Sequence, residues 1–460
     1  MKDARVVVVG MGKSGIAAAR LALARQARVV CMDQSESLAD KLGELAVQGA
    51  TLMLGPERGR DACTLDTADL VIVSPGVPDF AELRHAESDA HVPVIGELEF
   101  GVRERTQPPA TCPIVAVGGT NGKSTVTTLV HQLLEAQGLR AFAGGNLGEP
   151  VSSVADTSFD ALVLEVSSFQ MERAPTFRPR VSILLNVTPD HLDRYASEAE
   201  YARAKGNAFV NQTAGDVAVV PAGDDVCTMQ ARRGRGALVT FGTQPGADIR
   251  ITPDALVWHD GKTEEGVLRA NVALSGEHNM QNACAAIAAA RTLGVRGDTI
   301  RAVLSSFTGL AHRVAFVREL GGVRFYDDSK GTNVGAAIAA LSGMREAHVV
   351  LIAGGKDKGG SYEPLVQALL AGGKGRACIT LGEAAPLIEK ALGARVPSER
   401  AATMEEAVVR AFARAQPGDA VLLSPACSSF DMFRDYAHRG DMFAAAARAL
   451  PETVAPRGKL

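Results

Sequence analysis

The chain has 460 residues, which at about 150 residues per domain leaves room for three compact units and excludes a single small module. Apolar residues make up 46% and charged residues 22%, the balance of a folded globular protein, so a disordered or fibrous chain is excluded. Lys and Arg number 48 against 52 Asp and Glu, a net charge of -4. Without the basic excess that displaces counterions from a phosphate backbone, no nucleic-acid partner is expected.

The first apolar run, residues 6–9, is too short for a signal-peptide core or a membrane span; a cytoplasmic protein without a membrane partner is expected. It reads as a strand, followed by a helix of good formers over 15–25 and strands over 28–32 and 70–73, the rhythm of a parallel sheet with crossover helices. Gly10-Met11-Gly12-Lys13-Ser14-Gly15 after the first strand, with Asp33 closing the second, is nearly the whole dinucleotide fingerprint, and taken alone it says NAD. Charge, Gln107, Pro108 and Pro109 interrupt the periodicity over 103–113, so the first domain is placed at 1–103. Seven cysteines, scattered from Cys31 to Cys427 without a Cys-x-x-Cys pair, supply neither a disulfide framework nor a zinc cluster, and most are expected to be small buried hydrophobes.

A second unit, 104–312, opens with a strand over 114–117 that runs into Gly118, Gly119, Thr120, Asn121, Gly122, Lys123, Ser124 and Thr125, then a helix over 126–137. Strand, glycine loop and helix make a phosphate loop: backbone N–H groups curl around an anion, Lys123 supplies charge for the β- and γ-phosphates, and Ser124 or Thr125 can ligate Mg2+. It departs from the Walker A pattern, whose first glycine is replaced by Val117. The next strand, 161–165, ends in Glu165, a carboxylate at the end of an open α/β sheet that faces ligand; metal ligation and a solvated strand-end acid are the two readings. A strand over 181–186 leads into Asn186-Val187-Thr188-Pro189-Asp190-His191-Leu192-Asp193. There His191 reads as metal ligand, proton shuttle or capping residue, and Asp190 and Asp193 equally as turn residues. A strand over 217–220 follows a helix over 198–209; residues 234–271 read as short antiparallel strands, and a helix over 279–293 closes the unit. The third unit, 313–460, carries strands over 323–327, 348–353, 377–381 and 420–424 and ends in a helix from about residue 430.

The strings Gly119 to Thr125, Gly144-Gly145-Asn146-Leu147-Gly148, Glu165 to Gln170, Asn186 to Tyr195 with Lys205, Gly276-Glu277-His278-Asn279 with Asn282, His312-Arg313, and Asp328-Ser329-Lys330 with Thr332 together resemble the Mur ligase superfamily along essentially the whole chain. The resemblance implies three α/β domains: a Rossmann-like UDP-binding domain, a central P-loop ATPase-like domain with a parallel sheet, and a Rossmann-like C-terminal domain. It implies an ATP-dependent amide ligase of peptidoglycan precursor synthesis. Residues 328–334 and the segment Ser424 to Asp431 are most similar to the branch that joins glutamate to UDP-N-acetylmuramoyl-L-alanine.

On that resemblance ATP lies on Gly119 to Thr125, with Lys123 stabilising the migrating phosphoryl, Ser124 and Glu165 holding one Mg2+ and His191 a second. The family carbamylates a lysine on the helix after that histidine, and Lys205 has its spacing; a solvated surface lysine is the other reading. Asn146 would touch the sugar substrate or the metal region. Asn279 and Asn282, one helical turn apart, would meet the adenine side, Arg313 a phosphate and Asp328 the ribose. Lys330, Thr332, Lys358 and Ser429 would handle glutamate, although the run Gly354-Gly355-Lys356-Asp357-Lys358-Gly359 offers two lysines where one is expected. Lys13, Ser14 and Gly76 would hold the UDP-sugar where the fingerprint alone says NAD, and no nicotinamide is expected. The other partners implied are small molecules, and a monomer is expected.

Overall fold

The computed structural model describes residues 1–105, 112–191, 194–259, 263–274 and 276–452. Gln107, Pro108 and Pro109, Leu192, Asp193 and Gly261 lie outside them. Three sheets follow one another along the chain. The first, of five parallel strands, comprises β1 (Arg5–Val9), β2 (Arg28–Asp33), β3 (Thr51–Leu54), β4 (Leu70–Val73) and β5 (Val94–Gly96), in the order β3-β2-β1-β4-β5. Val6 and Val8 pack into one core while Val7 and Val9 pack into another. Side chains that alternate across a sheet covered on both faces make an unbroken valine run the natural strand sequence.

The second sheet has nine strands: β6 (Ile114–Gly118), β7 (Ala141–Gly145), β8 (Ala161–Glu165), β9 (Val181–Leu184), β10 (Val217–Pro221), β11 (Ala237–Gly242), β12 (Ile249–Ile251), β13 (Ala255–His259) and β14 (Glu264–Leu268). Their order is β14-β13-β12-β11-β10-β9-β6-β8-β7. The expected antiparallel run over 234–271 is half right. β11 and β12 extend the parallel sheet, and only β13 and β14 fold back. The helix Asp225–Ala231 between β10 and β11 supplies the crossover that a parallel pairing requires.

The third sheet, β15-β16-β20-β17-β18-β19, comprises β15 (Ala315–Leu320), β16 (Val323–Asp327), β17 (Val349–Gly354), β18 (Gly375–Leu381), β19 (Ser398–Arg400) and β20 (Ala420–Leu423). Only β15 is antiparallel, hairpinned onto β16. The last helix is Tyr436–Ala449, starting later than residue 430 because Asp435 caps it, its side chain accepting from the His438 N–H at 2.8 Å. Most of the cysteines are buried as expected, six of the seven, with Cys63 the exposed one. The chain divides into two compact units, one of Met1–Val187, Tyr201–Arg269 and Asn282–Val303 with the first two sheets, the other of Thr188–Glu200, Ala270–Gln281 and Leu304–Leu460 with the third. Among the described residues no helix is long and apolar enough to cross a membrane.

Candidate active site

In the first sheet the turn after β1 is built for close approach. Gly10 has φ +86°, and a Cβ on Gly15 would lie 2.0 Å from the Gly10 carbonyl oxygen, so glycine there lets the helix Lys13–Ala24 close on the turn. Ser74 Oγ donates to the Gly10 carbonyl at 2.6 Å, and Asp33 accepts from the Met11 N–H at 2.7 Å. Asp33 therefore braces the turn. Lys13 and Ser14 open the helix, whose N-terminus favours an anion, and Lys13 Nζ reaches Gly148 O and Glu149, each at 2.9 Å. Gly76 is exposed on the loop after β4.

The phosphate loop joins β6 to the helix Lys123–Ala136. Gly119 (φ +139°) and Gly122 (φ +86°) take conformations that side chains resist. A Cβ on Gly122 would come within 2.4 Å of Asn282 Oδ1, so Asn282 packs against the loop itself. Lys123 Nζ donates to the carbonyls of Gly119 at 2.9 Å and Thr120 at 2.8 Å. Asn186, to which sequence reasoning assigned no role, holds the loop: its Oδ1 accepts from the N–H groups of Thr120 at 3.1 Å and Asn121 at 2.9 Å, and its Nδ2 donates to Asn121 O at 3.1 Å. Its place at the carboxyl end of β9 was the available signal.

Glu165 and Ser124 are buried, and Ser124 Oγ donates to Glu165 Oε2 at 2.6 Å. Asn146 Nδ2 donates to the other carboxylate oxygen at 2.7 Å. Thr125 is buried beside them on the helix. A hydroxyl and one carboxylate at the foot of a phosphate loop are the donors Mg2+ takes, since that ion keeps most of its shell for water and phosphate oxygens. Lys205 is buried on the helix Glu198–Val210, its Nζ donating to Gly119 O at 2.9 Å and lying 4.3 Å from the Tyr201 ring centroid. Lys123 and Lys205 thus share one carbonyl.

In the second unit His191 adopts φ +55° and its Nε2 lies 3.8 Å from Asp190. Asp190 also meets Lys358 Nζ at 3.6 Å and accepts from Asn333 Nδ2 at 3.1 Å. Burial pushes the Asp190 carboxyl up, but Lys358, His191 and Asn333 together hold it below the ordinary range. Of the two loop lysines, Lys358 faces inward to this acid while Lys356 is exposed. Asn279, His278 and Arg313 line a cavity of about 570 Å³ with Phe316 and Tyr326, whose rings meet edge-on at 5.8 Å. His312 and Val314 on either side of Arg313 have φ +60° and +49°; for a β-branched valine that is strained backbone, of the kind found where a side chain is held for use.

Asp328 is buried at the end of β16 and accepts from Ser424 Oγ at 2.6 Å. Burial pushes its carboxyl up to about 7 against the opposing pull of Ser424 and Arg313. The folded protein therefore keeps a proton that the unfolded chain releases near pH 4, and this group's contribution to stability falls as pH rises from about 4 to 7. Asp328→Asn is expected to gain on the parent by at most about 4 kcal/mol over that window, seen as a melting-temperature difference that widens between pH 5 and pH 8. A difference independent of pH would refute the assignment. Lys330 Nζ lies 5.0 Å from the Tyr436 ring centroid, Thr332 is half-buried two residues on, and Ser429 is buried after β20.

Three family models match in order: the MurD-like N-terminal domain over residues 4–96, the Mur ligase middle domain over 117–290 and the Mur ligase glutamate ligase domain over 312–427. A protein of Desulfosudis oleivorans named UDP-N-acetylmuramoylalanine--D-glutamate ligase is 43% identical, over 99% of each chain. One of the same name from Pelobacter propionicus is 41% identical over 98% of this chain and all of the other. Among solved structures, MurF ligase from Thermotoga maritima in complex with ADP superposes with a TM-score of 0.61 at 17% identity, covering 97% of this chain and 96% of that one. UDP-N-acetylmuramate-alanine ligase MurC of the same organism gives 0.58 at 20% identity, over 97% and 99%. These two share the fold. With three domain models in order and full-length relatives above 40% identity, the chain belongs to the Mur ligase family.

Proposed function

We propose that this enzyme joins D-glutamate to UDP-N-acetylmuramoyl-L-alanine with ATP, releasing ADP and phosphate, in peptidoglycan precursor synthesis. The observation that carries the chemistry is the phosphate loop with Ser124 and Glu165 2.6 Å apart beneath it; the relatives' names supply the substrates. A free carboxylate is a poor electrophile. Its oxygen attacks the γ-phosphorus, ADP departs and an acyl phosphate forms; the glutamate nitrogen then attacks the carbonyl carbon, phosphate departs and the nitrogen loses a proton.

Lys123 and the amides from Gly119 to Thr125 hold the triphosphate and offset charge on the migrating group. Ser124 and Glu165 would hold Mg2+, with His191 the candidate ligand for a second ion; bound there, Mg2+ supplies charge neutralisation on the phosphates. Lys205 is the candidate carbamate: two ammonium groups meet at Gly119 O, and carbamylation would replace one of these like charges with an anionic oxygen ligand. Asn279, Asn282, Arg313 and Asp328 attend the nucleotide, the cavity beside Asn279 and Arg313 having the aromatic wall that a planar base favours. Lys13, Ser14, Gly76 and Asn146 take the UDP-sugar, and Lys330, Thr332, Lys358 and Ser429 the glutamate. The domains are read as 1–103, 104–312 and 313–460, and the enzyme as a cytoplasmic monomer, in the compartment that holds its nucleotide substrates.

An amino-acid panel assayed by phosphate release tests this reading. Turnover is expected only with ATP, UDP-N-acetylmuramoyl-L-alanine and D-glutamate together; equal rates with L-glutamate, or release without the sugar nucleotide, would overturn it.

A further inference from the structure

Three loops leave the carboxyl ends of adjacent parallel strands in the third sheet. Residues 328–332 follow β16, 424–430 follow β20 and 355–360 follow β17. They carry Lys330 and Thr332, Ser429, and Lys358 respectively. In an open α/β sheet that end receives the ligand. Backbone contacts join the loops in pairs: the Ala426 N–H donates to Gly331 O at 3.0 Å, the Gly354 N–H to Pro425 O at 2.8 Å, and Lys356 and Ser428 exchange bonds of 2.9 and 3.1 Å.

Beneath them lies Arg439, on the helix Tyr436–Ala449 and only 1% exposed. Its Nε donates to Ser329 Oγ at 2.9 Å and its Nη2 to Ser329 O at 2.8 Å, while Nη1 reaches Cys427 O and Ser428 O, each at 3.2 Å. Four bonds from one planar fork thus go to two of the loops. Ser428 O also accepts from the Lys356 N–H, which ties in the third. A Cβ on Gly355 would come within 2.2 Å of Ser428 O and 3.1 Å of Arg439 Nη1, so that residue must be glycine for the loops to meet. Burying a guanidinium is costly unless its donors are satisfied, and burial pushes Arg439 down to about 10. No carboxylate pairs with it among the described residues; carbonyls and one hydroxyl take its bonds. A lysine, with a compact ammonium and no fork, cannot span the same acceptors.

We infer that Arg439 is a positioning residue for the incoming amino acid: without touching it, the guanidinium sets the spacing of the three loops that carry Lys330, Thr332, Lys358 and Ser429. This rests on reading those loops as the glutamate site. Arg439→Lys is expected to raise KM for glutamate about tenfold or more, because a misplacement near 1 Å is felt that strongly, while KM for ATP and for the sugar nucleotide stays within about twofold. A merely structural role would lower the folded fraction and reduce kcat without this selectivity. Where Arg439→Lys does not fold, Ser329→Ala decides, since it removes only the Nε acceptor and a bond to Tyr436 O; KM for glutamate is again expected to rise alone, by about threefold. Unchanged KM for glutamate in a folded variant, or equal rises for all three substrates, would overturn the positioning role. Wild-type protein with no glutamate-dependent phosphate release would overturn the reading of the site instead, and the inference with it.

Discussion

Lys123→Ala is expected to lower kcat by about a thousandfold, the scale on which a charge aimed at a developing transition-state anion contributes. In the structure the ammonium folds back onto the Gly119 and Thr120 carbonyls, so the lysine is already held at the mouth of its own loop. A held cation needs little reorganisation when phosphoryl transfer begins. The side chain is half-exposed, and its truncation leaves no cavity in the core, so the melting temperature is expected to move by no more than a few degrees. The measurement is single-turnover phosphate release at saturating ATP. A folded variant that keeps a tenth or more of the parent rate would remove Lys123 from the chemistry.

Lys205→Ala is expected to reduce turnover by about two to three orders of magnitude, comparable with loss of a group that organises charge in the site, and to regain activity on addition of a short carboxylate such as acetate or propionate. Lys205 is buried with its amine 2.9 Å from Gly119 O, where Lys123 already donates. A plain ammonium there repeats a charge that the loop has, whereas a carbamate adds the opposite one, and a small acid diffusing into the vacated space restores that anion. Steady-state rates across a carboxylate titration decide it: wild-type activity in the alanine variant excludes the role, and a folded, inactive variant that no carboxylate restores excludes the carbamate. Lys205→Glu, which brings a permanent carboxylate on a shorter arm, is expected to fall between the two.

Much of the fold was legible because the central strands are buried on both faces. The runs at Val6 to Val9 and Leu162 to Leu164 are apolar without alternation, and a strand between helices on either side of a sheet has that composition. The strands that escaped, β3, β5, β7, β15 and β19, lie at sheet edges, where β3, β15 and β19 are only part-covered and the apolar signal thins. Residues 237–251 misled for a related reason: short strands separated by glycine and aspartate look like hairpins, and only pairing with β10 makes β11 parallel.

The chain by itself determined where its phosphate loop lies, since glycines, Lys123 and Ser124 in seven consecutive positions bend a backbone locally, and it set Glu165 at a strand's end through the apolar run before it. Only tertiary structure decided that Asn186 holds that loop from 65 residues away, that Asp190 meets Lys358, and that Arg439 gathers loops reaching back 110 residues. Periodicity and turn chemistry act between neighbours within a few residues, whereas a buried donor finds whichever acceptor the packed sheets bring within 3 Å, and no local pattern records that distance.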